Sequence, residues 1–196
     1  MKSWSETVLN TLRVEVICPS RRFSPEPMLF VGNHLSYLDI PVLLSQSPVA
    51  FVAKKQIGTW PIFGDACRTI GVVLVDRQSK DSREKTSGQI ADAVRNRRQS
   101  VAVFPSGTTC LDETKPWRWG VFKIAKDYGI PLRPFRLKYT PRESTAFVGD
   151  SYFVPHLWTL LDEPKITATI EFHDPVMVYE PEAEANKWWA WTRGFN

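Results

Sequence analysis

The chain has 196 residues, 25 Lys+Arg against 21 Asp+Glu, a sequence pI near 9.0 and 43% hydrophobic residues, which excludes a disordered or low-complexity polymer and fits one folded domain with a full core. Its basic balance and 8 Trp suit an anionic membrane surface or a nucleic acid, and composition alone does not choose between them. No apolar run nears the roughly 18–20 residues that cross a bilayer.

In chain order, residues 4–16 place Trp4, Val8, Leu9, Leu12 and Val16 on one helical face. The N-terminal segment 1–20 is thus expected to be an amphipathic helix, either interfacial or docked on the core. Arg13 and Glu15 interrupt it where a signal peptide needs an unbroken apolar stretch. The short β-rich runs "MLFVG" (28–32), "VAFVA" (49–53), "GVVLV" (71–75) and "VAVFP" (101–105) predict buried strands. Helices are expected near 39–45, 60–68 and 83–98, the last closing on Arg95, Arg97 and Arg98 as suits a helix C-terminus. Further on, "GVFKIAKDYGI" and "ANKWWAWTRGF" predict helices, and "PLRPFRLKY" and "KITATIEFHDPV" predict strands. Alternating strand and helix imply an α/β fold, a single domain over 1–196 with a largely parallel mixed central sheet flanked by helices. Cys18, Cys67 and Cys110 are odd in number and lack metal-ligand spacing, so they read as packing thiols in a reduced, cytosolic setting.

In such folds the loops after the carboxyl ends of the strands build the site. Three polar loops meet that condition: the one holding His34, the one holding Asp76 and Arg77, and "PSGTT" after "VAVF". His34 and Asp39 are five residues apart, about 140° on an ideal helix, so they meet only if His34 precedes the helix. Pro41 agrees, because proline is tolerated in a first turn, and the helix start falls at Leu38 to Ile40. Asp39 can then accept from one ring nitrogen of His34 and leave the other facing a substrate hydroxyl. That is the base-and-orienter part of a Ser-His-Asp arrangement, with the acceptor hydroxyl in the serine's place. "SYLD" also matches a capping box, so Ser36 and Asp39 suit a plain helix start as well.

The blocks "NHLSYLD" (33–39), "GVVLVDR" (71–77), "FPSGTT" (104–109) and "IPLRPF" (130–135), in this order, resemble the glycerolipid acyltransferase family, the 1-acylglycerol-3-phosphate acyltransferases and relatives with an NHxSxxD first motif. The resemblance implies a glycerol-phosphate acyltransferase-like α/β fold and acyl transfer from acyl-CoA or acyl-carrier protein to a lysolipid hydroxyl. It implies no metal and no cofactor. His34 would be the catalytic base, Asp39 its partner and Arg77 a contact to the acceptor head group. The physical requirements agree: a thioester is already activated, so the enzyme needs a base, stabilisation of the oxyanion and a hold on the acceptor. A guanidinium at position 77 suits phosphate, although a solvated surface arginine fits the position too. Gly107, with the amides near Thr108, suits close approach to a charged group or a plain turn.

The third block of this family usually reads FPEG, then Thr and often Arg; here Ser106 stands for the Glu and Thr109 for the Arg. The acceptor-binding set is therefore Arg77, Ser106, Gly107, Thr108 and Thr109. 1-Acylglycerol-3-phosphate is the default acceptor, with another lysolipid such as a lyso-aminolipid next, and a non-catalytic lipid-binding homologue the alternative class. Peripheral attachment to the cytoplasmic face of an anionic membrane is expected, with Trp188, Trp189 and Trp191 either an interfacial anchor or a packed helix. Scattered basic residues without a reader motif argue against nucleic acid. His156 and His173, lacking a carboxylate at the same spacing, read as structural or exposed. Lys115 and Arg118 are further candidate anion contacts, beside Trp117 and Trp119.

Overall fold

Leu29–Gly32 forms a strand, β2, buried along its whole length in the computed structural model. Successive side chains of a strand point to opposite faces, so Leu29 and Val31 join one core cluster and Phe30 the other. Such a run reads as continuously apolar because both faces are covered. The structure describes residues 2–19, 25–54, 73–75, 80–149 and 151–195. Around β2 lie α1 (Lys2–Thr11), β1 (Val14–Ile17), α2 (Asp39–Gln46), β3 (Val49–Lys54), β4 (Val73–Val75), α3 (Lys80–Arg95), β5 (Ser100–Val103), α4 (Gly120–Tyr128), β6 (Leu132–Thr140), α5 (Phe153–Asp162), β7 (Ile166–Phe172) and α6 (Pro181–Arg193).

Among the described residues the strands form one sheet in the order β1-β7-β6-β2-β5-β3-β4. Every neighbour pair is parallel except β6 with β7. The fold is thus the expected single α/β domain with a largely parallel mixed sheet. Leu9 of α1, Leu12 just after it, Leu43 of α2 and Leu160 of α5 pack on one face. Val94 of α3, Phe122 of α4 and Trp188 of α6 pack on the other.

Two elements depart from the sequence reading. The N-terminal helix ends at Thr11, not beyond residue 16, because Arg13 turns the chain at φ 52° and the β-branched run from Val14 pairs with β7 at the sheet edge. α5 was not foreseen, although Leu157, Leu160 and Leu161 form a core-facing stripe; Pro155 is tolerated because it lies in the first turn. The expected helix at 60–68, Cys67, and the loop holding Asp76 and Arg77 lie outside the described residues.

Parallel pairing of β2 with both β5 and β6 brings three carboxyl ends to one side of the sheet. Gly32 is required at the end of β2, since the Phe135 ring occupies the space a Cβ would fill. These ends carry the polar loops.

Candidate functional site

The segment after Gly32 leaves the sheet under tight control. Asn33 is buried and continues the β2–β6 ladder with its side chain, donating from Nδ2 to the Leu137 carbonyl and accepting from the Leu137 amide, each at 2.8 Å. A bidentate amide in place of backbone pairing lets the chain turn out while fixing residue 34. His34 then faces Asp39, the first residue of α2, with Nδ1 2.6 Å from Oδ2.

Asp39 is fully buried and its carboxyl collects four donors. Oδ2 accepts from His34, from the Leu35 amide at 2.7 Å and from the Ser36 amide at 3.2 Å, while Oδ1 accepts from the Tyr139 hydroxyl at 2.8 Å. A buried carboxyl without such partners would cost several kcal/mol, on the order of 2–7 for even a neutral polar group. The aspartate also accepts from the Ser36 amide as the last residue of a capping box does, although α2 starts at Asp39 itself with Leu38 as its N-cap. The reciprocal bond of such a box is absent: the Ser36 hydroxyl is buried with no hydrogen-bond partner among the described residues. Burial, with Asp39 beside it, holds the Tyr139 phenol well above its ordinary pKa, so it remains a donor.

With Nδ1 engaged, Nε2 of His34 has no hydrogen-bond partner among the described residues, and the side chain is 20% exposed. Phe104, at the end of β5, stacks on the imidazole at 4.0 Å with the rings 9° apart and sets its plane. The third block thus touches the first. Its turn is tight, with Gly107 at φ 75° and its amide donating to the Phe104 carbonyl at 3.0 Å. The Ser106 hydroxyl donates to the Thr108 carbonyl at 2.8 Å and braces the turn. Thr108 is exposed and Thr109 half-buried, and the next residue, Cys110, donates its amide to the His34 carbonyl at 2.9 Å. His34, Asp39, Ser106, Gly107, Thr108 and Thr109 are thus gathered at one end of the sheet.

Three participants escaped the sequence reading: Asn33, Phe104 and Tyr139. Asn33 was visible as the first letter of the NHxSxxD block. The others depend on contacts between distant strands or loops. His156 turns out to be tied to the same loop, with Nδ1 3.0 Å from the Tyr37 hydroxyl and Nε2 3.0 Å from the Ala146 carbonyl. His173 contacts the Asp174 carbonyl and the rings of Trp188 and Trp191. Lys115 and Arg118 are exposed, Trp117 is buried, and Trp119 is 47% exposed.

Comparisons with known proteins agree with this arrangement. Residues 13–138 match the Acyltransferase family. The chain is 29% identical over 156 residues to the lyso-ornithine lipid O-acyltransferase of Pseudomonas aeruginosa, an alignment covering 77% of this chain and 60% of that protein. It is equally 29% identical over 156 residues to the 1-acyl-sn-glycerol-3-phosphate acyltransferase of Neisseria gonorrhoeae, covering 76% and 60%. The lyso-ornithine lipid O-acyltransferase of Rhizobium meliloti is 32% identical over 170 residues, covering 76% and 57%. The chain spans about three-fifths of the length of these relatives. The crystal structure of the 1-acyl-sn-glycerophosphate (LPA) acyltransferase PlsC from Thermotoga maritima superposes with a TM-score of 0.73 at 18% identity, covering 99% of this chain and 76% of that one, and shares the fold. Since the family match takes in more than half of the chain and contains both the His34–Asp39 pair and the 104–109 turn, the chain belongs to the acyltransferase family.

Proposed function

We propose that the protein moves a fatty acyl group from a thioester, acyl-CoA or acyl-carrier protein, to the free hydroxyl of a lysolipid. The observation that carries this reading is the His34–Asp39 pair, with Nδ1 held on a buried, four-times-bonded carboxyl and Nε2 left open. Nε2 takes the proton from the acceptor hydroxyl as its oxygen attacks the thioester carbonyl. The tetrahedral intermediate collapses with loss of the thiolate, which takes the proton from His34, giving ester and free thiol. Asp39 orients the ring and offsets the charge of the transient imidazolium. The Gly107 amide is already engaged with Phe104, so oxyanion stabilisation falls to the amides that follow it at Thr108 and Thr109. Arg77 remains our candidate for the head-group phosphate.

The default acceptor is 1-acylglycerol-3-phosphate, which places the reaction in phospholipid biosynthesis. Ser106 and Thr109, in place of the usual Glu and Arg, leave the acceptor open, and a lyso-aminolipid is the second candidate because two of the relatives above carry lyso-ornithine lipid names. We further propose peripheral attachment to the cytoplasmic face of an anionic membrane. No helix among the described residues is long and apolar enough to cross one. α5 and its N-terminal flank present Tyr152 at 80%, Val154 at 59% and Trp158 at 64% exposure, aromatic and aliphatic groups suited to the interface. The terminal tryptophans are not part of that surface: Trp188 is buried, and Trp189 and Trp191 are packed against the same cluster. Radiolabelled acyl transfer to a panel of phosphate-bearing and phosphate-free lysolipids tests the reading, and the absence of transfer to every acceptor favours the non-catalytic lipid-binding class.

A further inference from the structure

Seven residues beyond Ser106, where the family pattern would have placed a carboxylate, the same loop buries a carboxyl of its own. Glu113 is 6% exposed. Its Oε2 accepts from the Trp117 indole at 2.9 Å, and its main-chain carbonyl accepts from the Trp189 indole of α6 at 2.8 Å. Oε1 is buried without a hydrogen-bond partner among the described residues. The segment 110–113 is anchored at further points: the Cys110 amide donates to the His34 carbonyl at 2.9 Å, and Arg142 donates to the Leu111 carbonyl and to Asp112, each at 2.6 Å. Glu113 is thus built into the connection between the terminal helix and the main chain of His34.

We propose that Glu113 is a positioning residue for His34: a buried carboxyl that holds the 110–113 segment, and through the Cys110 amide the His34 main chain, in place. Buried beside Cys110 and the His34 main chain, the carboxyl is shut off from water, so solvent does not compete for its bond to Trp117. Burial raises the pKa of Glu113, partly opposed by Trp117, by the Cys110 thiol and by His34. Burial and Glu113 also push the Cys110 thiol up to about 12, with Asp39 and Asp112 adding to the shift, so that neighbour is uncharged. Among the described residues the groups facing the Glu113 carboxyl are Trp117, His34 and Cys110, with Asp39 and Asp112 beyond the thiol, while the Trp189 indole of α6 meets its main-chain carbonyl.

The inference rests on His34 as the working base, so its test has two readouts, one independent of turnover. Wild type, Glu113→Gln and Glu113→Ala full-length proteins are compared in transfer from a radiolabelled long-chain acyl-CoA to lysophosphatidic acid, and in the NMR titration of the His34 ring, assigned by its loss in His34→Ala. Glu113→Ala is expected to lower kcat about tenfold or more with little change in KM, and Glu113→Gln, neutral and of the same shape, to recover most of it. In wild type the His34 resonance should show a second inflection as Glu113 ionises, and this inflection should vanish in Glu113→Gln. Full turnover in Glu113→Ala, or identical single-step titrations in wild type and Glu113→Gln, overturns the inference. A wild type inert on all lysolipids refutes the proposed function, while the titration still decides the part played by Glu113. If Glu113→Ala fails to fold, the Gln variant and the titration carry the decision.

Discussion

Removing the Tyr139 hydroxyl tests the organisation of the site more sharply than removing the base. In Tyr139→Phe the ring stays in the core and one of the four donors to Asp39 is lost, while the His34, Leu35 and Ser36 bonds remain. A hydrogen bond to a charged group contributes roughly 1.5–3 kcal/mol, and the site is buried too deeply for water to replace the donor, so about 2 kcal/mol of stability should be lost. In a chain of this size each kcal/mol moves Tm by about 2–4 °C, which predicts a fall of about 4–8 °C. Catalysis should suffer less than in Asp39→Asn, because the carboxyl keeps three donors and its contact with Nδ1. We expect kcat to drop about tenfold with KM unchanged, as for an interaction that acts on the base and not on substrate binding. Thermal unfolding by near-UV circular dichroism and steady-state acyl transfer measure both effects, with Tyr179→Phe, at a residue 73% exposed, as the control. In the double variant with Asp39→Asn the two losses should not add, since both act on one carboxyl, and a coupling of about 1 kcal/mol or more is expected. A Tyr139→Phe protein with wild-type Tm and kcat, or strict additivity in the cycle, would refute the reasoning.

His34→Ala and Asp39→Asn should each abolish most transfer and leave the fold intact, with the histidine change the more severe; near wild-type turnover in purified His34→Ala would sink the mechanism. Burial lowers the pKa of His156 below its ordinary 6.5, so the folded protein binds that proton less readily than the unfolded chain, and its contribution to stability is present above pH 6.5 and lost on acidification through the lower folded value. His156→Gln should be less stable at neutral pH and lose less between neutral and mildly acidic pH, as read by urea unfolding across that range; parallel curves would contradict this. Wild type should float with anionic vesicles more than with neutral ones and less at high salt, and Trp158→Ala should weaken the salt-resistant part; unchanged flotation of that variant removes α5 from the membrane face. Ser106→Glu removes the hydroxyl bond to the Thr108 carbonyl and adds a charge, so the ratio of phosphate-bearing to phosphate-free acceptors should move by one to two orders of magnitude, on the order of a charge-assisted hydrogen bond. An unaltered ratio means position 106 does not read the head group.

Local signals decided a good deal of this protein before any tertiary contact was known. Strands buried on both faces must be apolar, so the strands within "MLFVG" and "VAVFP" were readable as such. Pro41 confines the helix start to its own neighbourhood, which forces His34 outside the helix and makes the contact with Asp39 possible. What lay beyond the sequence were choices between competing local patterns and contacts across large separations. Val16 fits a helical stripe and a strand equally, and pairing with β7 chose the strand. The tryptophans of α6 had the composition of a membrane anchor, and packing against α4, β6 and β2 buried Trp188 and half-buried Trp189 and Trp191. Tyr139 meets Asp39 across 100 residues, and Glu113 is held by Trp189 across 76. Such partners leave no spacing signal, because the parallel crossover topology, and not proximity along the chain, brings strand ends together. The pair that can do chemistry is local and legible; the shell that holds it in place exists only in the fold.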